Sequence, residues 1–493
     1  MPEGQDPGTV ACRDAAKESG MTTSDWDLIV IGAGGAGLSA AASAAERGGR
    51  VLVLESEGAV GGSMSLAAGM FTAAGTRVQE ALGVQDSADR FYQHYMDLNQ
   101  WRLQPGLVRS ICEAAAPTLH WLMDLGLEIP AQRSTNAHMP GLGHAGVEDV
   151  WRGHTPVGEG YAVVELLERT LRTHGAELAL GSRVDGLLID EGRVQGVTVG
   201  GEEARAGAVV VASGGFAQDR ALVDRYFPAA RAAGEDLFVV AGAGSRGDHL
   251  RLGEQVGADL AGEGWGLLLV TAYFQQHHHW DSGFPPPSRI HVNAAGRRFM
   301  DEDVSYAVSA GLLADQQGPC WMVFDEAARL RLPDGFLDWT PARVQEEADT
   351  GRTLRADDLP ALAGAMGVPA EALRRTVERW NQTLPHGTDP EFQRHLTLEA
   401  KGVVDPLPPM VSPPFYAARL VPGELVCTHT GLRIDPSARV LDAVGDVIPG
   451  LYAAGEAGGG VLGNRYVGGG NAIANALTMG RIAGLTALES ARD

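Results

Sequence analysis

The segment from residue 27 to residue 55 constrains the possible fold more than any other part of this chain. A short apolar run, typical of a buried parallel strand, leads into a glycine pattern at Gly32, Gly34 and Gly37. The first glycine permits a tight turn, the second lets a phosphate group approach the backbone, and the third allows a helix to pack closely on the strand. A second apolar run ends at Glu55, whose carboxylate can accept hydrogen bonds from ribose hydroxyls. We therefore predict a βαβ unit that binds a dinucleotide pyrophosphate at the N-terminus of its helix.

Charge and cysteine usage argue against several classes of partner. The formal net charge is −23, and lysine occurs only at Lys17 and Lys401, which disfavours binding to nucleic acid or to an anionic membrane. Four cysteines are scattered along the chain without a CxxC spacing, at Cys12, Cys112, Cys320 and Cys427. This pattern indicates neither a disulfide framework nor an iron–sulfur or haem site, and it favours the reducing cytoplasm.

The chain also lacks sequence signals for membrane insertion or export. No apolar run reaches the roughly 20 residues that a membrane-spanning helix needs, so we predict no membrane span. Residues 1–24 are polar and lack the apolar core of a secretory signal. We expect them to form a disordered N-terminal extension.

Motifs at both ends of the chain point to one family. Gly58-Ala-Val-Gly-Gly-Ser63 follows the dinucleotide motif, and Leu451-Tyr-Ala-Ala-Gly-Glu456 precedes a Gly-rich loop and a final helix. In this order they resemble the FAD-dependent fumarate reductase and 3-ketosteroid dehydrogenase superfamily, over a span from about Asp25 to Gly484. The resemblance implies an α/β fold, with a Rossmann-like FAD-binding domain and an inserted α+β capping domain.

The resemblance also implies domain limits and cofactor contacts. We expect the FAD-binding domain at residues 25–265 and 415–493, and the capping domain at residues 266–414. FAD is expected to bind non-covalently, because the family's histidine linkage motif is absent after Gly62. The residues expected to contact FAD are Gly32, Gly34, Gly35, Ala36, Gly37, Glu55, Gly61, Gly62, Ser63, Gly69, Val184, Ala212, Asp248, Gly455, Glu456, Asn471, Ala472 and Ile473.

Two further patterns resemble binding motifs but are interpreted differently. Residues 242–247 form a literal GxGxxG, yet no long helix and no second strand with a terminal acid follow, so we do not predict a nicotinamide site. The superfamily places this segment beside FAD. Three consecutive histidines at residues 277–279 would diverge along a strand or loop, so we predict no metal site there.

The first candidate catalytic residue is Tyr306. The stretch that ends at this tyrosine resembles the superfamily motif Val-Asn-x-x-Gly-x-Arg-Phe-x-(Asn/Asp)-Glu, with the glutamate at Glu302. Four residues later, fumarate reductases have an arginine that delivers a proton. Ketosteroid dehydrogenases have a tyrosine there that removes a proton from the carbon next to the ketone. The resemblance therefore implies a catalytic base at Tyr306, and the alternative is a structural tyrosine on the inner face of the cap.

The second candidate group is Tyr466 with Gly470. Ketosteroid dehydrogenases carry Tyr-Pro-Gly-Pro-Gly in this loop, and the present chain keeps the tyrosine and the last glycine. In that family the tyrosine hydroxyl and the glycine N–H bind the ketone oxygen. Such donors form an oxyanion hole, which stabilises the negative charge that grows on the oxygen as the α-proton leaves. The helix that begins near Asn471 would direct its positive end toward flavin N1 and O2.

Three other residues match fumarate reductases better than ketosteroid dehydrogenases. His429 and Thr430 resemble their His-Thr substrate contact, and Arg465 lies near the position of their carboxylate-binding arginine. The loop is one residue longer here, so that last correspondence stays open. We predict all three as candidate substrate-binding residues, with a packed histidine and a salt-bridged arginine as the structural alternatives. Arg152 and His154 are further possible polar contacts.

The leading functional prediction is an FAD-dependent desaturase of a cyclic ketone, either a ketosteroid or an oxo-cyclohexanecarboxylate. Tyr306 would take the α-proton, and the adjacent β-hydrogen would leave as hydride to flavin N5. The alternative is an enoate reductase like fumarate reductase, acting on a small unsaturated carboxylate. A third hypothesis is a flavin-binding carrier without turnover. The electron acceptor and the oligomeric state are not predicted.

Overall fold

The computed structural model describes residues 25–135, 137–144, 150–403 and 405–492. The N-terminal extension predicted at residues 1–24 lies outside the described residues. The strands are β1 (Trp26–Ile31), β2 (Val51–Leu54), β3 (Phe71–Thr72), β4 (Gly141–Gly143), β5 (Gly153–Thr155), β6 (Glu177–Ala179), β7 (Val184–Asp190), β8 (Arg193–Val199), β9 (Glu202–Val211), β10 (Phe238–Val239), β11 (Leu260–Ala261), β12 (Gly266–Ala272), β13 (Ile290–Val292), β14 (Trp321–Asp325), β15 (Leu354–Ala356), β16 (Phe415–Thr428), β17 (Gly431–Arg433), β18 (Arg439–Leu441), β19 (Val447–Ala453) and β20 (Gly458–Gly459).

The helices alternate with these strands along the chain. They are α1 (Gly35–Glu46), α2 (Arg77–Ala81), α3 (Ala88–Leu98), α4 (Pro105–Leu125), α5 (Glu159–Thr173), α6 (Arg220–Tyr226), α7 (Asp248–Glu254), α8 (His279–Ser282), α9 (Tyr306–Ala314), α10 (Glu326–Leu330), α11 (Pro341–Asp349), α12 (Leu359–Met366), α13 (Ala370–Thr383), α14 (Arg394–Ala400) and α15 (Asn471–Arg492). Short 3₁₀ segments occur at Gly62–Leu66, Pro228–Asp236, Leu384–His386 and Gly455–Ala457.

The chain divides into two compact units. The first contains the residues up to Pro228, together with Ala241–Gly266 and the residues from Cys427 onward, and the second contains Ala229–Val240 and Leu267–Val426. In the first unit, β19, β9, β1, β2 and β6 pair in that order as parallel strands. The side chains of β1 from Leu28 to Val30 are fully buried, as expected for a parallel strand covered on both faces. The predicted α/β fold with a Rossmann-like sheet is confirmed.

The first unit is completed by antiparallel strands at the edges of this sheet. Two apolar runs, at residues 184–189 and 194–199 around Asp190-Glu-Gly-Arg193, predict a hairpin, which β7 and β8 form. The strand β8 also pairs with β9. The final helix, α15, packs on α1 through glycines. A Cβ atom added to Gly480 would lie 2.3 Å from the carbonyl oxygen of Ala36, and one added to Gly484 would lie 2.2 Å from that of Ala40. These two backbones therefore approach each other at positions where no larger residue fits.

The second unit is built on a separate six-stranded sheet. Its main order is β10-β16-β14-β13, and β12 and β15 also pair with β16. Side chains alternate between two apolar clusters along β14, because Val323 belongs to one cluster whereas Met322 and Phe324 belong to the other. The sheet is thus covered on both faces, and helices follow most of its strands.

Two segments differ from the sequence expectation. The high content of Gly, His and Pro in residues 132–160 predicts a long loop, but β4 and β5 lie within this range and join β3 in a small antiparallel sheet. The sequence pattern of residues 353–384 predicts a helical stretch, but the segment opens with β15, which pairs with β16. Strands of two or three residues are too short to show the alternation by which a strand is recognised.

Among the residues that the structure describes, no helix combines the length and the apolar character that a membrane crossing requires.

The close contact between α1 and α15 leads to a stability prediction. Replacing Gly484 with Ala should destabilise the protein by about 1–3 kcal/mol, because the new methyl group would overlap the Ala40 carbonyl in a packed core. The matched control is Gly106→Ala in α4, where the added Cβ would meet only the Pro436 side chain at 3.5 Å. The control should leave stability unchanged or raise it by up to about 1 kcal/mol. Thermal unfolding of both variants is the measurement, and equal transition temperatures would contradict the packing argument.

Candidate functional site

The loop between β1 and α1 is built to receive a phosphate group. Gly34 is the N-cap of α1 in extended conformation, no side chain caps the helix, and its first turn contains no acidic residue. Gly32 has φ +102°, and a Cβ atom there would lie 2.5 Å from the carbonyl oxygen of Ala212. A Cβ at Gly37 would lie 1.8 Å from the Gly32 carbonyl oxygen. Gly32 and Gly37 therefore let strand, turn and helix pack closely, and the uncapped N–H groups at the positive end of the helix dipole suit a phosphate group.

The predicted Gly-Gly-Ser segment lies beside this turn. Gly34 and Gly61 form an isolated parallel β-bridge, and the Gly61 N–H donates to the Ala33 carbonyl over 2.8 Å. The Ser63 hydroxyl accepts a 3.0 Å hydrogen bond from the backbone N–H of Gly242. The second GxGxxG of the sequence thus packs against the first phosphate-binding segment. It does not form a separate βαβ unit, because only the short helix α7 follows it.

The carboxylate of Glu55 is buried at the end of β2. It accepts hydrogen bonds from the backbone N–H groups of Ala33 at 2.6 Å and Glu57 at 2.9 Å. The Ser56 hydroxyl also donates to Glu55 at 3.2 Å. Because a carboxylate offers about four acceptor positions, these three bonds orient Glu55 and leave about one position for a ribose hydroxyl.

Two of the residues expected to contact FAD, Val184 and Asp248, are held together by one arginine. The guanidinium of Arg251 donates to the Val184 carbonyl at 2.7 Å and to the Asp248 carboxylate at 3.2 Å. Asp248 also forms an ion pair with Arg183 at 3.1 Å. Val184 and Asp248 therefore lie close together, within reach of one guanidinium group.

Glu456 is a buried carboxyl group on the C-terminal side of the site. Its Oε2 atom accepts hydrogen bonds from the Thr428 N–H at 3.0 Å and the Thr428 hydroxyl at 3.1 Å. Burial raises the pKa of Glu456 to about 7, although both hydrogen bonds act in the opposite direction. Next to it, Gly455 has φ +70° and a Cβ atom there would lie 2.9 Å from the Ala36 side chain. The segment thus closes directly onto α1.

Another predicted contact glycine, Gly69, also lies at a close backbone approach. Gly69 has φ +72°, and a Cβ atom there would lie 2.6 Å from the Gly160 nitrogen. The uncapped N–H groups of α1, the close backbone approaches at glycines and the buried acid at the end of β2 together suit FAD. The residues that would hold it are Gly32, Gly34, Gly35, Ala36, Gly37, Glu55, Gly61, Gly62, Ser63, Ala212, Gly455 and Glu456.

The loop from Val461 to Asn471 carries the predicted oxyanion donors. The Tyr466 side chain is buried, and its hydroxyl oxygen accepts a 2.8 Å hydrogen bond from the Ala472 N–H in the first turn of α15. Gly470 has φ +86°, and a Cβ atom there would lie 2.3 Å from the Met70 carbonyl oxygen. The phenol oxygen therefore lies at the positive end of a 22-residue helix, which stabilises negative charge near it.

His429 and Thr430 are engaged by protein groups. The His429 Nδ1 atom lies 2.8 Å from the Gly463 carbonyl oxygen, and Nε2 lies 3.3 Å from the Cys427 sulfur. Because a carbonyl only accepts, Nδ1 carries the proton and Nε2 accepts. Burial lowers the pKa of His429 to about 4, so the ring is neutral at physiological pH. The Thr430 hydroxyl donates to the Gly262 carbonyl at 3.0 Å.

Arg465 differs in its surroundings from Arg152 and His154, the two further possible polar contacts. Within the described residues, the half-buried guanidinium of Arg465 makes no ion pair, and its backbone N–H donates to the Asn99 side-chain oxygen at 3.1 Å. Arg152 is buried in a bidentate ion pair with Asp86. His154 is buried between the Thr76 hydroxyl and backbone carbonyls. Both of the last two thus have structural partners.

Tyr306 belongs to the second unit and is the first residue of α9. It is half-buried, and Ser305 caps the helix by accepting a bond from the Ala307 N–H. Just before it, Glu302 is buried in ion pairs with Arg298 at 2.7 Å and Arg394 at 3.1 Å. Burial opposes ionisation, but these arginines hold the pKa of Glu302 below its usual value. A rigid charged cluster therefore precedes the predicted base.

Several residues that support the site were not singled out from the sequence. Tyr95 and Asn99 of the α3 region, and Thr72 of β3, bond to the Val461–Asn471 loop. Cys427 bonds to His429. They are distant from the loop in sequence and belong to no recognised motif, so only the fold reveals them.

Comparisons with known proteins agree with this geometry. A family model described as an FAD binding domain matches residues 27–473. A fumarate reductase (cytochrome) from Shewanella frigidimarina is 30% identical over 93% of this chain and 76% of its own length. A 3-oxosteroid 1-dehydrogenase from Mycobacterium tuberculosis is 27% identical over 94% of this chain and 98% of its own length.

A solved structure extends the comparison. The 3-ketosteroid-Δ4-(5α)-dehydrogenase from Rhodococcus jostii RHA1, in complex with 4-androstene-3,17-dione, is similar with a TM-score of 0.75 and 28% identity. The similarity covers 96% of this chain and 99% of that one.

The raised pKa of Glu456 leads to a prediction about pH. Since the folded state keeps this proton to about pH 7 and an unfolded glutamate loses it near 4.5, wild-type stability should fall as the pH rises through this window. Glu456→Gln removes the effect. Its stability relative to wild type should increase by up to about 3 kcal/mol between pH 4.5 and pH 8, as followed by denaturant unfolding of the FAD-free protein. Glu177→Gln, at an exposed position in β6, is the control, and parallel pH curves for wild type and Glu456→Gln would contradict the assignment.

Proposed function

This chain belongs to the FAD binding domain family and is an FAD-dependent oxidoreductase of the fumarate reductase and ketosteroid dehydrogenase superfamily; from that premise, we propose that it desaturates a cyclic ketone next to its carbonyl. The observation that carries the proposal is the Tyr466 hydroxyl at the N-terminus of α15. Bound FAD would supply the acceptor for the two electrons that a desaturation removes.

The environment of Tyr466 supports its role as a donor to the ketone oxygen. A hydroxyl that accepts a backbone hydrogen bond has a more polarised O–H bond, which makes it a stronger donor. The nearby helix terminus also favours the negative charge that grows on the ketone oxygen when the α-proton leaves. With the Gly470 N–H as second donor, this pair would stabilise an enolate oxygen.

The state of His429 favours a ketone over a dicarboxylate. A carboxylate clamp is strongest when its donors are charged. The His429 ring is neutral, and both of its nitrogens already meet protein groups. The Thr430 hydroxyl is also committed to a carbonyl. Arg465 thus remains as one cation at this loop, which suits a neutral ketone or a ketone with one carboxylate.

We assign proton removal to Tyr306. The α-carbon would lose its proton to the phenolate form of this residue, and the electron pair of the broken C–H bond would move onto the ketone oxygen. The β-hydrogen then leaves with its electron pair, so that one C=C bond forms and the ketone is restored.

We place this enzyme in the reducing cytoplasm, consistent with buried free thiols at Cys112, Cys320 and Cys427.

The second candidate function, reduction of a small unsaturated acid, rests on Arg465. Its guanidinium has no ion pair within the described residues and could bind a substrate carboxylate. The two functions run in opposite directions with respect to the flavin. A desaturase oxidises its substrate and bleaches oxidised flavin, whereas an enoate reductase restores the colour of reduced flavin.

Anaerobic mixing of the oxidised holoenzyme with 4-androstene-3,17-dione or 4-oxocyclohexanecarboxylate tests the proposal. We expect the flavin absorbance to bleach. The rate should fall by roughly 10²-fold or more in Tyr306→Phe, which removes the base, and in Tyr466→Phe, which removes an oxyanion donor. Tyr161→Phe, at an exposed tyrosine of α5, is the matched control and should keep the wild-type rate.

The reverse experiment uses photoreduced enzyme and fumarate. If fumarate rapidly reoxidises the reduced flavin and neither ketone bleaches the oxidised flavin, the enoate reductase hypothesis would replace the proposal. Equal rates for Tyr306→Phe and wild type would remove the catalytic role of that residue.

A further inference from the structure

We propose that Asn99, together with Tyr95, is a positioning residue that holds the oxyanion donor Tyr466 in place. This inference rests on the proposed function of Tyr466. Both residues come from the C-terminal end of α3, which is remote in sequence from the loop that they contact.

Tyr95 joins the two ends of the loop. Its hydroxyl donates to the Val461 carbonyl at 2.9 Å and accepts from the Asn471 side-chain amide at 2.9 Å. The side chain is fully buried, and burial raises the pKa of Tyr95 above its usual value, so the hydroxyl keeps its proton. One neutral phenol thereby sets the distance between the start of the loop and the start of α15.

Asn99 holds the middle of the same loop. Its side-chain oxygen accepts a 3.1 Å hydrogen bond from the backbone N–H of Arg465, the residue before Tyr466. Its amide group donates to the Tyr95 carbonyl at 3.1 Å, which fixes the direction of the side chain. A Cβ atom added to Gly463 would lie 1.8 Å from the Asn99 oxygen, so the loop passes directly over this amide.

The other side of Tyr466 is also fixed. After Tyr466, the Thr72 hydroxyl donates to the Gly469 carbonyl at 2.7 Å. Before it, His429 also donates to the Gly463 carbonyl at 2.8 Å. Tyr466 therefore lies between bonded positions on both sides. Of these bonds, the one from Asn99 is nearest along the chain to the tyrosine. Losing it would free the backbone next to a donor whose placement within about 1 Å matters for the rate.

The variants Asn99→Ala and Tyr95→Phe test this role in the holoenzyme. Tyr92→Phe is the matched control, because this tyrosine lies on the same helix and has no hydroxyl bond to the loop. A donor that acts on the enolate oxygen stabilises the transition state more than the bound ketone. We therefore expect the limiting rate of flavin reduction by the ketone to fall about 10-fold or more in Asn99→Ala, with the ketone KM within about 3-fold of wild type. Asn99→Asp keeps an oxygen acceptor for the Arg465 N–H and should recover part of the rate.

A binding measurement separates this inference from the proposed reaction. The anion of 4-chlorophenol resembles an enolate, and its binding to the oxidised holoenzyme can be followed through the flavin spectrum. Its affinity should fall in Asn99→Ala and Tyr95→Phe by a factor similar to the limiting rate, and should be unchanged in Tyr92→Phe. If wild type binds the phenolate but no ketone bleaches its flavin, the proposed reaction fails while the positioning role is still judged from phenolate affinity.

Two outcomes would overturn the inference. One is wild-type phenolate affinity in folded, FAD-containing Asn99→Ala and Tyr95→Phe. The other is a failure of the wild-type protein to bind the phenolate at all, since Tyr466 would then not be an anion-stabilising donor. If Asn99→Ala does not fold, Tyr95→Phe, which removes one oxygen atom, provides the same test.

Discussion

Close approach of backbone to backbone at glycine is the constraint on which the first unit depends. The turn after β1 brings the carbonyl of Gly32 so near to α1 that Gly37 has no room for a side chain. The other face of α1 meets α15 in the same way, at Gly480 and Gly484. Without these contacts, the helix could not direct its uncapped N–H groups toward a phosphate while staying packed on the sheet. Gly32 and Gly37, which are predicted to contact the cofactor, therefore also determine how α1 packs on the sheet.

Helix α15 connects this packing to the chemistry. Its middle part contacts α1 at Gly480 and Gly484, and its N-terminus donates a hydrogen bond to the Tyr466 hydroxyl. A shift of α15 would thus move both α1, which carries predicted cofactor contacts, and Tyr466, which is proposed to bind the ketone oxygen. The loop before it is bonded to α3 and β3, which explains how a segment rich in glycine can still present a defined donor.

Charge is distributed differently in the two units. The loop around Tyr466 is surrounded by neutral partners, including a histidine that burial keeps uncharged. The residues before Tyr306 instead form a buried cluster of arginines and carboxylates, centred on Glu302. Burying these charges costs desolvation free energy, which is offset only where the charged groups pair with one another. The cluster restricts the backbone just before Tyr306, the predicted base.

The sequence was sufficient for the features that depend on local order along the chain. The βαβ unit and the β7–β8 hairpin follow from glycine positions and apolar runs, because turns, strands and phosphate loops are set by neighbouring residues. The choice of FAD as the dinucleotide came from the family resemblance of the motifs at both ends of the chain. The short strands β4, β5 and β15 were missed, since two or three residues carry no period. The bonding of His429 to Cys427 and Gly463, and the anchoring of the Tyr466 loop by Asn99, could not be read in advance. These contacts join residues up to 366 positions apart, and their geometry exists only when the sheet and helices have assembled.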